Sequence, residues 1–368
     1  MQASISISLM YQYNNTQVEY SPPNPTKMTT PNPLENTPPS ASISEKTYHV
    51  AGILTTVYGL EEISPSCTSI SCLWLLHPRL QTKKIMEPIA SRCIQTWNQQ
   101  SGSSRTVGLI AVAFDQRNHG SREVNALANG SWRDGNETHA QDMFSIFHGT
   151  AMDTSLLIDH LPSYIFNTED SPLIEQHLVL GISLGGHSAW QVLFSDPRVT
   201  AGIVIIGCPD YLRMMIDRAR LSKLQTYTSS TTPGTTFPGS KDFPPALINS
   251  LKKYDPVGLL FGTSPIPSTS TSPTKQILPQ HLQNKRILSC SGADDKLVPY
   301  HCSSPFLQFL KNATAVGGYY EEGNVYVEDK VYAGVGHAFS EEMFRDTVRF
   351  VNETLVAKEG EVVGLSKM

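Results

Sequence analysis

The sequence predicts an α/β protein with a mostly parallel β-sheet flanked by helices. Short apolar runs, such as VGLIAVAF at 107–114 and AGIVIIG at 201–207, show no polar alternation, which is typical of strands covered on both faces. Between such runs lie segments whose apolar residues recur at helical spacing, as at 83–99. Strands that alternate with helices form parallel sheets, so we expect the working groups at the carboxyl ends of the strands.

The elements are expected in a simple order along the chain. An extended segment at 48–57 has Gly52 as a turn or bulge and Gly59 as its end. The remaining strands are expected at 72–76, 107–114, 178–180, 201–207, 286–291 and 325–333, and the core helices at 83–99, 142–164, from 184 onward and at 339–355.

Four composition shifts divide the chain. Residues 1–45 are rich in Pro, Ser, Thr and Asn and are expected to be disordered. The core is expected in two parts, 46–207 and 286–358, with a short tail at 359–368.

Between these two parts, after the sixth strand, residues 208–285 break the alternation. Helices are expected there at 210–226 and 245–254, with mobile Ser/Thr/Pro-rich loops at 228–241 and 264–275. We interpret the insertion as a helical cap over the mouth of the site. The alternative is a surface excursion unrelated to the pocket.

Composition argues against several classes of function. The net charge of −5 does not favour nucleic-acid binding, and no apolar run approaches the roughly 20 residues of a membrane span. The six cysteines form no C-x-x-C pair and no metal-type cluster with histidine, so reduced thiols in an intracellular protein are expected. No cofactor and no metal site is predicted.

The chain ends in Ser366-Lys367-Met368, which is similar to the peroxisomal address S-K-L. Methionine replaces leucine, and the small–basic–apolar order is kept. We therefore expect the peroxisomal import receptor as a partner and the peroxisome as the location, with the cytoplasm as the alternative.

The stretch HLVLGISLGGHSAW at 177–190 organises the chemistry. An apolar strand leads into Gly181, Ser183 and Gly185, and a helix-compatible run follows. This is the G-x-S-x-G nucleophile elbow, in which a tight turn exposes the serine hydroxyl above the sheet edge. Ser183 is the candidate nucleophile.

A serine nucleophile needs a base, and the base needs a carboxylate, in the chain order Ser, acid, His. The pattern G-x-x-D-x-x-V-P after a buried strand selects Asp295 over Asp294, and Asp210 is a third choice. His337 lies in a Gly-rich loop after the last strand and is the candidate base. His187, within the elbow helix, is expected to be a packed or supporting group.

The oxyanion hole needs two backbone donors. The amide of Leu184, directly after the serine, is the first. The second is expected in the turn His77-Pro78-Arg79; proline has no N–H, so the amide of Arg79 is the candidate. The Arg79 side chain could grip a carboxylate or could be solvated.

Together these residues resemble the α/β-hydrolase superfamily over roughly residues 47–358. GISLGG, GADDKLVP and GVGHAF stand in family order, and DQRNHG at 115–120 resembles the D-x-R-x-H-G turn after the fourth strand. His77-Pro78 departs from the usual His-Gly. At finer grain the chain resembles fungal peroxisomal members of host-selective toxin gene clusters, which implies a role in making an epoxy-decatrienoic acid toxin moiety.

The resemblance implies a serine hydrolase of the esterase or thioesterase type, acting on a small-molecule acyl ester or acyl thioester. If the protein is peroxisomal, an acyl-CoA or a polyketide-derived acyl ester is a natural substrate. The alternatives are an acyltransferase or lyase on the same fold, and a non-catalytic binding protein.

Overall fold

The predicted fold class is confirmed by a computed structural model of the chain. The structure describes residues 32–35, 42–100, 106–169, 171–267 and 278–365, with side chains up to 358. The described residues form one compact unit. The last three residues, on which the import prediction rests, and most of the loop at 264–275 lie outside the described residues.

An eight-stranded sheet forms the centre of the molecule, in the spatial order β1-β2-β4-β3-β5-β6-β7-β8. The β1–β2 and β2–β4 pairs are antiparallel and the others are parallel. The strands are β1 (Glu45–Val50), β2 (Ile53–Tyr58), β3 (Ser69–Leu76), β4 (Val107–Phe114), β5 (Leu173–Ile182), β6 (Val199–Ile205), β7 (Arg286–Gly292) and β8 (Tyr326–Tyr332).

Helices cover both faces of this sheet. They are α1 (Glu87–Gln99), α2 (His139–His160), α3 (Pro162–Ile165), α4 (Leu184–Ser195), α5 (Tyr211–Leu221), α6 (Gln225–Thr228), α7 (Pro245–Tyr254), α8 (Pro256–Phe261), α9 (Leu278–Leu282), α10 (Tyr300–Thr314) and α11 (Glu341–Leu365). Short 3₁₀ turns lie at Lys83–Met86, Gly120–Arg122, Ala126–Asn129, Trp132–Asp134 and Glu321–Gly323.

Alternation along the buried strands sorts the core into two layers. Trp74 of β3 packs with residues of α2, α4 and α10, whereas Leu73 and Leu75 pack with residues of α1 and α11. Successive side chains of a strand point to opposite faces, so a fully apolar strand can fill both layers at once. A third cluster joins the start of α2, Leu184 and the inner face of α5.

The expected turn at Gly52 is confirmed: the extended segment at 48–57 is a hairpin of β1 and β2 that turns at Ala51 and Gly52, with φ of 48° and 83°. Three other sequence expectations about the fold are wrong in part. Within the segment expected to be disordered, Leu34 is 4% exposed and Ile43 is 8% exposed. Burial of these apolar side chains holds the described part of that segment against the core.

The other two corrections concern the cap and the C-terminus. The loop at 228–241 was expected to be mobile, but Phe237 is fully buried and packs edge-on against Trp132. A single large aromatic ring thus anchors a loop whose composition alone favours mobility. The last helix continues to Leu365, beyond the predicted end at 355 and into the predicted tail.

Candidate active site

Ser183 lies between β5 and α4 in a backbone conformation that L-residues seldom adopt, with φ 55° and ψ −110°. Its amide donates to the carbonyl of Ile205 at 2.9 Å, which ties the turn to the neighbouring strand. The flanking glycines are required by space. A Cβ at Gly181 would lie 1.9 Å from the carbonyl oxygen of Gly185, and one at Gly185 would lie 2.0 Å from that of Leu76.

The same close approach brings the end of β3 next to Ser183. Because the backbone of Leu76 and His77 lies against Gly185, the turn that follows β3 sits beside Ser183. The elbow therefore has two roles. It presents the hydroxyl of Ser183, and its packing at Gly185 brings the predicted oxyanion turn next to that hydroxyl.

Ser183, His337 and Asp295 form one hydrogen-bonded chain. The Ser183 Oγ is 2.8 Å from His337 Nε2, and His337 Nδ1 is 2.8 Å from Asp295 Oδ2. The imidazole side chain is 5% exposed and the carboxylate is fully enclosed. This is the geometry in which a histidine can remove a serine proton while a carboxylate fixes its tautomer.

Asp295 is held as an anion. Its Oδ1 accepts the amides of Leu297 and Val298 at 2.8 and 2.9 Å. Burial alone would raise the pKa of this carboxyl, but the hydrogen bond and charge of His337 and the two amides outweigh it, and the pKa lies below its usual value.

The other two acid candidates are not part of this chain of hydrogen bonds. Asp294 is exposed, and its backbone amide donates to the Val335 carbonyl. Asp210 caps α5, where its side chain accepts the amide of Arg213.

The acid loop and the histidine loop are joined through their backbones. A Cβ on Gly292 would lie 2.4 Å from the Val335 oxygen and 2.5 Å from the Gly336 oxygen, so only glycine allows the contact. Ala293 also donates its amide to Tyr332 at 2.9 Å. These contacts position His337 relative to Asp295, since both loops follow neighbouring parallel strands.

A buried polar network holds the turn at His77–Arg79. His77 is fully buried; its Nδ1 donates to the Pro78 carbonyl at 2.8 Å, and its Nε2 accepts the Gln116 amide at 3.0 Å. The Gln116 side chain donates to the His77 carbonyl and accepts from Ser188 of α4 at 3.0 Å. Burial lowers the pKa of His77 to about 4, so the ring is a neutral structural group.

Sequence reasoning missed this network. The signal was available in the motif at 115–120, because Gln116 is the residue that reaches the elbow.

The first predicted oxyanion donor, Leu184, begins α4, so its N–H is among those that a helix leaves without an internal partner. The amide of Arg79 remains a prediction as the second donor. The prediction that the Arg79 side chain could be solvated is wrong in part. The guanidinium is largely surrounded by protein, and it donates to the Asn129 carbonyl at 2.9 Å.

The rest of the motif at 115–120 is structural. Asp115 accepts the backbone amides of Lys83 and Ser121 at 2.8 and 2.9 Å. Arg117 forms a two-point ion pair with Asp153 of α2 at 2.9 and 3.0 Å. The motif therefore fixes the loop after β4 to the helix that follows it.

His187 is packed, as expected. It is 3% exposed, its Nδ1 accepts the Cys208 amide at 2.9 Å, and its ring lies against Phe147. Burial lowers its pKa to about 3, so this histidine is neutral and does not serve as a base.

Metal binding was not predicted, and the described residues offer one weak candidate. Asp217, His301 and Cys302 have potential ligand atoms within 4.8 Å of one another. Arg220 already pairs with Asp217 at 2.7 Å, and burial raises the pKa of Cys302 to about 12. A protonated thiol beside a paired carboxylate is a poor ligand set.

No described helix is long and apolar enough to cross a bilayer.

No protein-family model matches the sequence, and no curated protein matches it either. Solved structures do match the fold. TT1662 from Thermus thermophilus is 15% identical with a TM-score of 0.52, and the match covers 86% of this chain and 99% of that one. A putative dipeptidyl aminopeptidase IV from Bacteroides ovatus is 11% identical with a TM-score of 0.51, covering 85% of this chain and 36% of that protein.

A cold-adapted esterase from an Arctic intertidal metagenomic library is 14% identical with a TM-score of 0.43. The match covers 86% of this chain and 96% of that one. The match to TT1662 and the order of the mostly parallel sheet show that the fold of this chain is the α/β-hydrolase fold.

Proposed function

We propose that this α/β-hydrolase-fold chain is a serine hydrolase that cleaves a carboxylic ester or an acyl thioester. The observation that carries the proposal is the unbroken contact from the hydroxyl of Ser183 through His337 to the buried carboxylate of Asp295, at 2.8 Å for each step. A serine hydroxyl at neutral pH is a weak nucleophile, and such a relay is what activates it.

The reaction follows from the positions of the three side chains. His337 takes the Ser183 proton as the oxygen attacks the substrate carbonyl, and the imidazolium is stabilised by Asp295. The amide of Leu184, with that of Arg79 as the second donor, would hold the oxyanion. The imidazolium then protonates the leaving alcohol or thiol. Water, deprotonated by His337, attacks the acyl-enzyme and releases the acid with regeneration of Ser183.

The test is Ser183→Ala on purified protein. Loss of about 10⁶-fold in kcat on an ester substrate is expected, as for triad removal in other serine hydrolases. A fluorophosphonate should label the wild-type protein and not this variant. Ser145→Ala, on the exposed face of α2, is the matched control and should keep both properties. Equal turnover by the Ser183 variant would refute the proposal.

The substrate class and the location are finer parts of the same proposal. We infer an acyl thioester or polyketide-derived ester in the peroxisome from the C-terminal Ser366-Lys367-Met368 and from the resemblance to members of fungal toxin clusters. A fluorescent fusion ending in these residues should collect in peroxisomes, and a diffuse cytosolic signal would contradict that part. Product analysis with an added alcohol acceptor separates hydrolysis from acyl transfer.

A further inference from the structure

One arginine of the insertion after β6 reaches the acid loop, residues 293–299, which carries Asp295. Arg218 lies on the inner face of α5, where Tyr211 and Met214, seven and four residues earlier, are buried. One nitrogen of its guanidinium donates to the carbonyl of Leu297 at 3.3 Å. A charged group of α5 is therefore hydrogen-bonded to the loop that supplies the triad carboxylate.

The carbonyl that accepts from Arg218 belongs to a peptide group that also binds Asp295. The peptide bond between Leu297 and Val298 has its carbonyl on the first residue and its N–H on the second. That N–H donates to Asp295 Oδ1 at 2.9 Å. Hydrogen bonds at the two ends of one planar peptide group polarise it in the same direction, so each strengthens the other. The charge of Arg218 thus acts on the carboxylate through a single peptide group.

The contacts continue from this peptide group to the nucleophile. Beyond Asp295 they run through His337 to Ser183, at 2.8 Å for each step. Val298 is 3% exposed and lies in the same apolar cluster as the inner face of α5. Apolar packing therefore holds the acid loop against α5, and the guanidinium of Arg218 adds charge and orientation to that contact.

Arg218 has no ion-pair partner among the described residues. Protein surrounds its guanidinium, although part of the residue stays accessible. A second nitrogen lies 3.9 Å from the sulfur of Met143, and no described carboxylate oxygen lies within 4.0 Å of the guanidinium. Burial lowers the pKa of Arg218, but an arginine stays charged at neutral pH. Because enclosing a charge is unfavourable, packing alone would be served better by an apolar side chain of similar size.

Asp295 is a carboxylate whose charge raises the pKa of Arg218 against the effect of burial. Other titratable side chains near Arg218 are not anions at neutral pH. They come from α2, α4, α5, α10 and the loops after β6 and β3: His139, His187, Tyr211, Cys302, Cys208 and Arg79. Burial lowers the pKa of both histidines and raises that of the tyrosine and of both thiols, so these five groups are neutral.

We propose that Arg218 is a positioning residue for the triad carboxylate. Its guanidinium, acting through the peptide group between Leu297 and Val298, keeps Asp295 ionised and oriented for its hydrogen bond with the imidazole. This inference rests on the proposed hydrolase function and deepens it, because it connects α5 to the triad. Arg218 binds no substrate and exchanges no proton.

The first experiment compares Arg218→Gln with the wild-type protein on one ester, with active sites counted by fluorophosphonate titration. Glutamine keeps a donor but not the charge, so kcat per site should fall about tenfold, the effect of one charged hydrogen bond, and KM should change less than about twofold. Arg218→Lys keeps the charge on a side chain without the planar fork, and should lose only about threefold in kcat.

Arg220→Gln is the matched control, because Arg220 is on the same helix but is exposed and paired with Asp217. It should keep the wild-type kcat. Unchanged kcat in Arg218→Gln would overturn the inference. So would a KM raised about tenfold at unchanged kcat, which would assign Arg218 to substrate binding.

The pH profile separates the effect of charge from a purely structural role. Loss of a nearby positive charge makes the triad easier to protonate, so the acidic limb of kcat/KM in Arg218→Gln should move to higher pH by about half a unit. The position of this limb does not depend on how much protein is folded. A limb at the wild-type position would contradict the proposal.

A double variant tests whether Arg218 acts through Asp295. In the Asp295→Asn background, adding Arg218→Gln should slow fluorophosphonate labelling less than about twofold, since the carboxylate on which the arginine acts is gone. A further loss of about tenfold in that background would show an independent structural role and refute the inference.

If Arg218→Gln does not fold, Arg218→Lys decides the question. A kcat per site about threefold below that of the wild-type protein at unchanged KM supports the proposal, and a wild-type kcat overturns it.

Failure of the hydrolase proposal has a different signature. If no ester or thioester turns over and fluorophosphonate does not label Ser183, the acid dependence of stability still decides the role of Arg218. The folded pKa of Asp295 lies below its unfolded value, so its contribution to stability is present above the unfolded pKa and is lost as the pH falls through the folded pKa.

Removing Arg218 should bring the folded pKa of Asp295 closer to the unfolded value. The unfolding free energy of Arg218→Gln should therefore fall less steeply with acid than that of the wild-type protein, from about pH 4 downward. Equal slopes in denaturant unfolding of the two proteins would overturn the inference.

Discussion

Two buried charged side chains near Ser183 differ in how completely they are hydrogen-bonded. On one side, Asp295 has both oxygens occupied, by His337 and by the amides of Leu297 and Val298, and its pKa is lowered accordingly. On the other side, Arg218 has a long bond to a carbonyl and a distant sulfur. A fully satisfied buried charge holds a geometry, whereas a charge with few hydrogen bonds leaves some of its donors unused.

In this comparison, the largest effect is expected from removing the negative charge of Asp295. Asp295→Asn keeps the shape of the side chain but cannot hold the imidazolium, and a loss of about 10⁴-fold in kcat is expected by comparison with other triads. Asp294→Asn is the matched control, because Asp294 is exposed and adjacent in sequence. Steady-state kinetics on one ester measure kcat of both variants. Equal losses of kcat would show that the assignment of Asp295 as the triad acid is wrong.

A substitution at Gly181 tests how strongly the fold depends on the close packing of the turn around Ser183. Gly181→Ala should destabilise the fold by about 3 kcal/mol or more, because its Cβ would lie 1.9 Å from a backbone oxygen that cannot move alone. Gly239→Ala is the comparison, since Gly239 has a φ of 90° and nothing within 4 Å of its Cβ position. Only conformational strain acts there, at about 1–2 kcal/mol.

Denaturant unfolding measures both free energies. Similar losses in the two variants would show that space at the elbow is less restricted than the contacts with Gly185 indicate.

The smallest expected effect is in the pH dependence of stability. The folded pKa of Asp295 is below its unfolded value, so its contribution is present above the unfolded pKa and is lost as the pH falls through the folded pKa. The unfolding free energy of the wild-type protein should therefore fall more steeply with acid than that of Asp295→Asn, from about pH 4 downward. Parallel acid titrations of the two proteins would show that the carboxylate gains nothing from its partners.

The fold was predictable because its signals are local. Continuous apolar runs mark strands buried on both faces, and the observed β4 and α7 coincide with the predicted ranges 107–114 and 245–254. The errors come from long-range packing. The docking of Leu34 and the burial of Phe237 depend on surfaces that a local window of sequence does not contain.

The same division applies to the candidate site. Motif order and glycine positions pointed to Ser183, Asp295 and His337 before their contacts were known. The network of His77, Gln116 and Ser188 joins residues about 40 and 70 positions apart, so the motif at 115–120 draws attention to Gln116 but does not show which residues it contacts. The sequence did not indicate that Arg218 lies near the acid loop, because the several arginines of α5 look alike in sequence.

By itself, the sequence determined the candidate nucleophile, the order of its candidate partners and the class of the fold, because steric demands at glycines and strand burial act over a few residues. Only the tertiary structure decided which aspartate meets the histidine, what holds the turn beside the serine, and how Arg218 reaches the carbonyl of Leu297 in the acid loop. Those outcomes depend on convergence of distant segments and on burial, which sets the strength of every charge in the site.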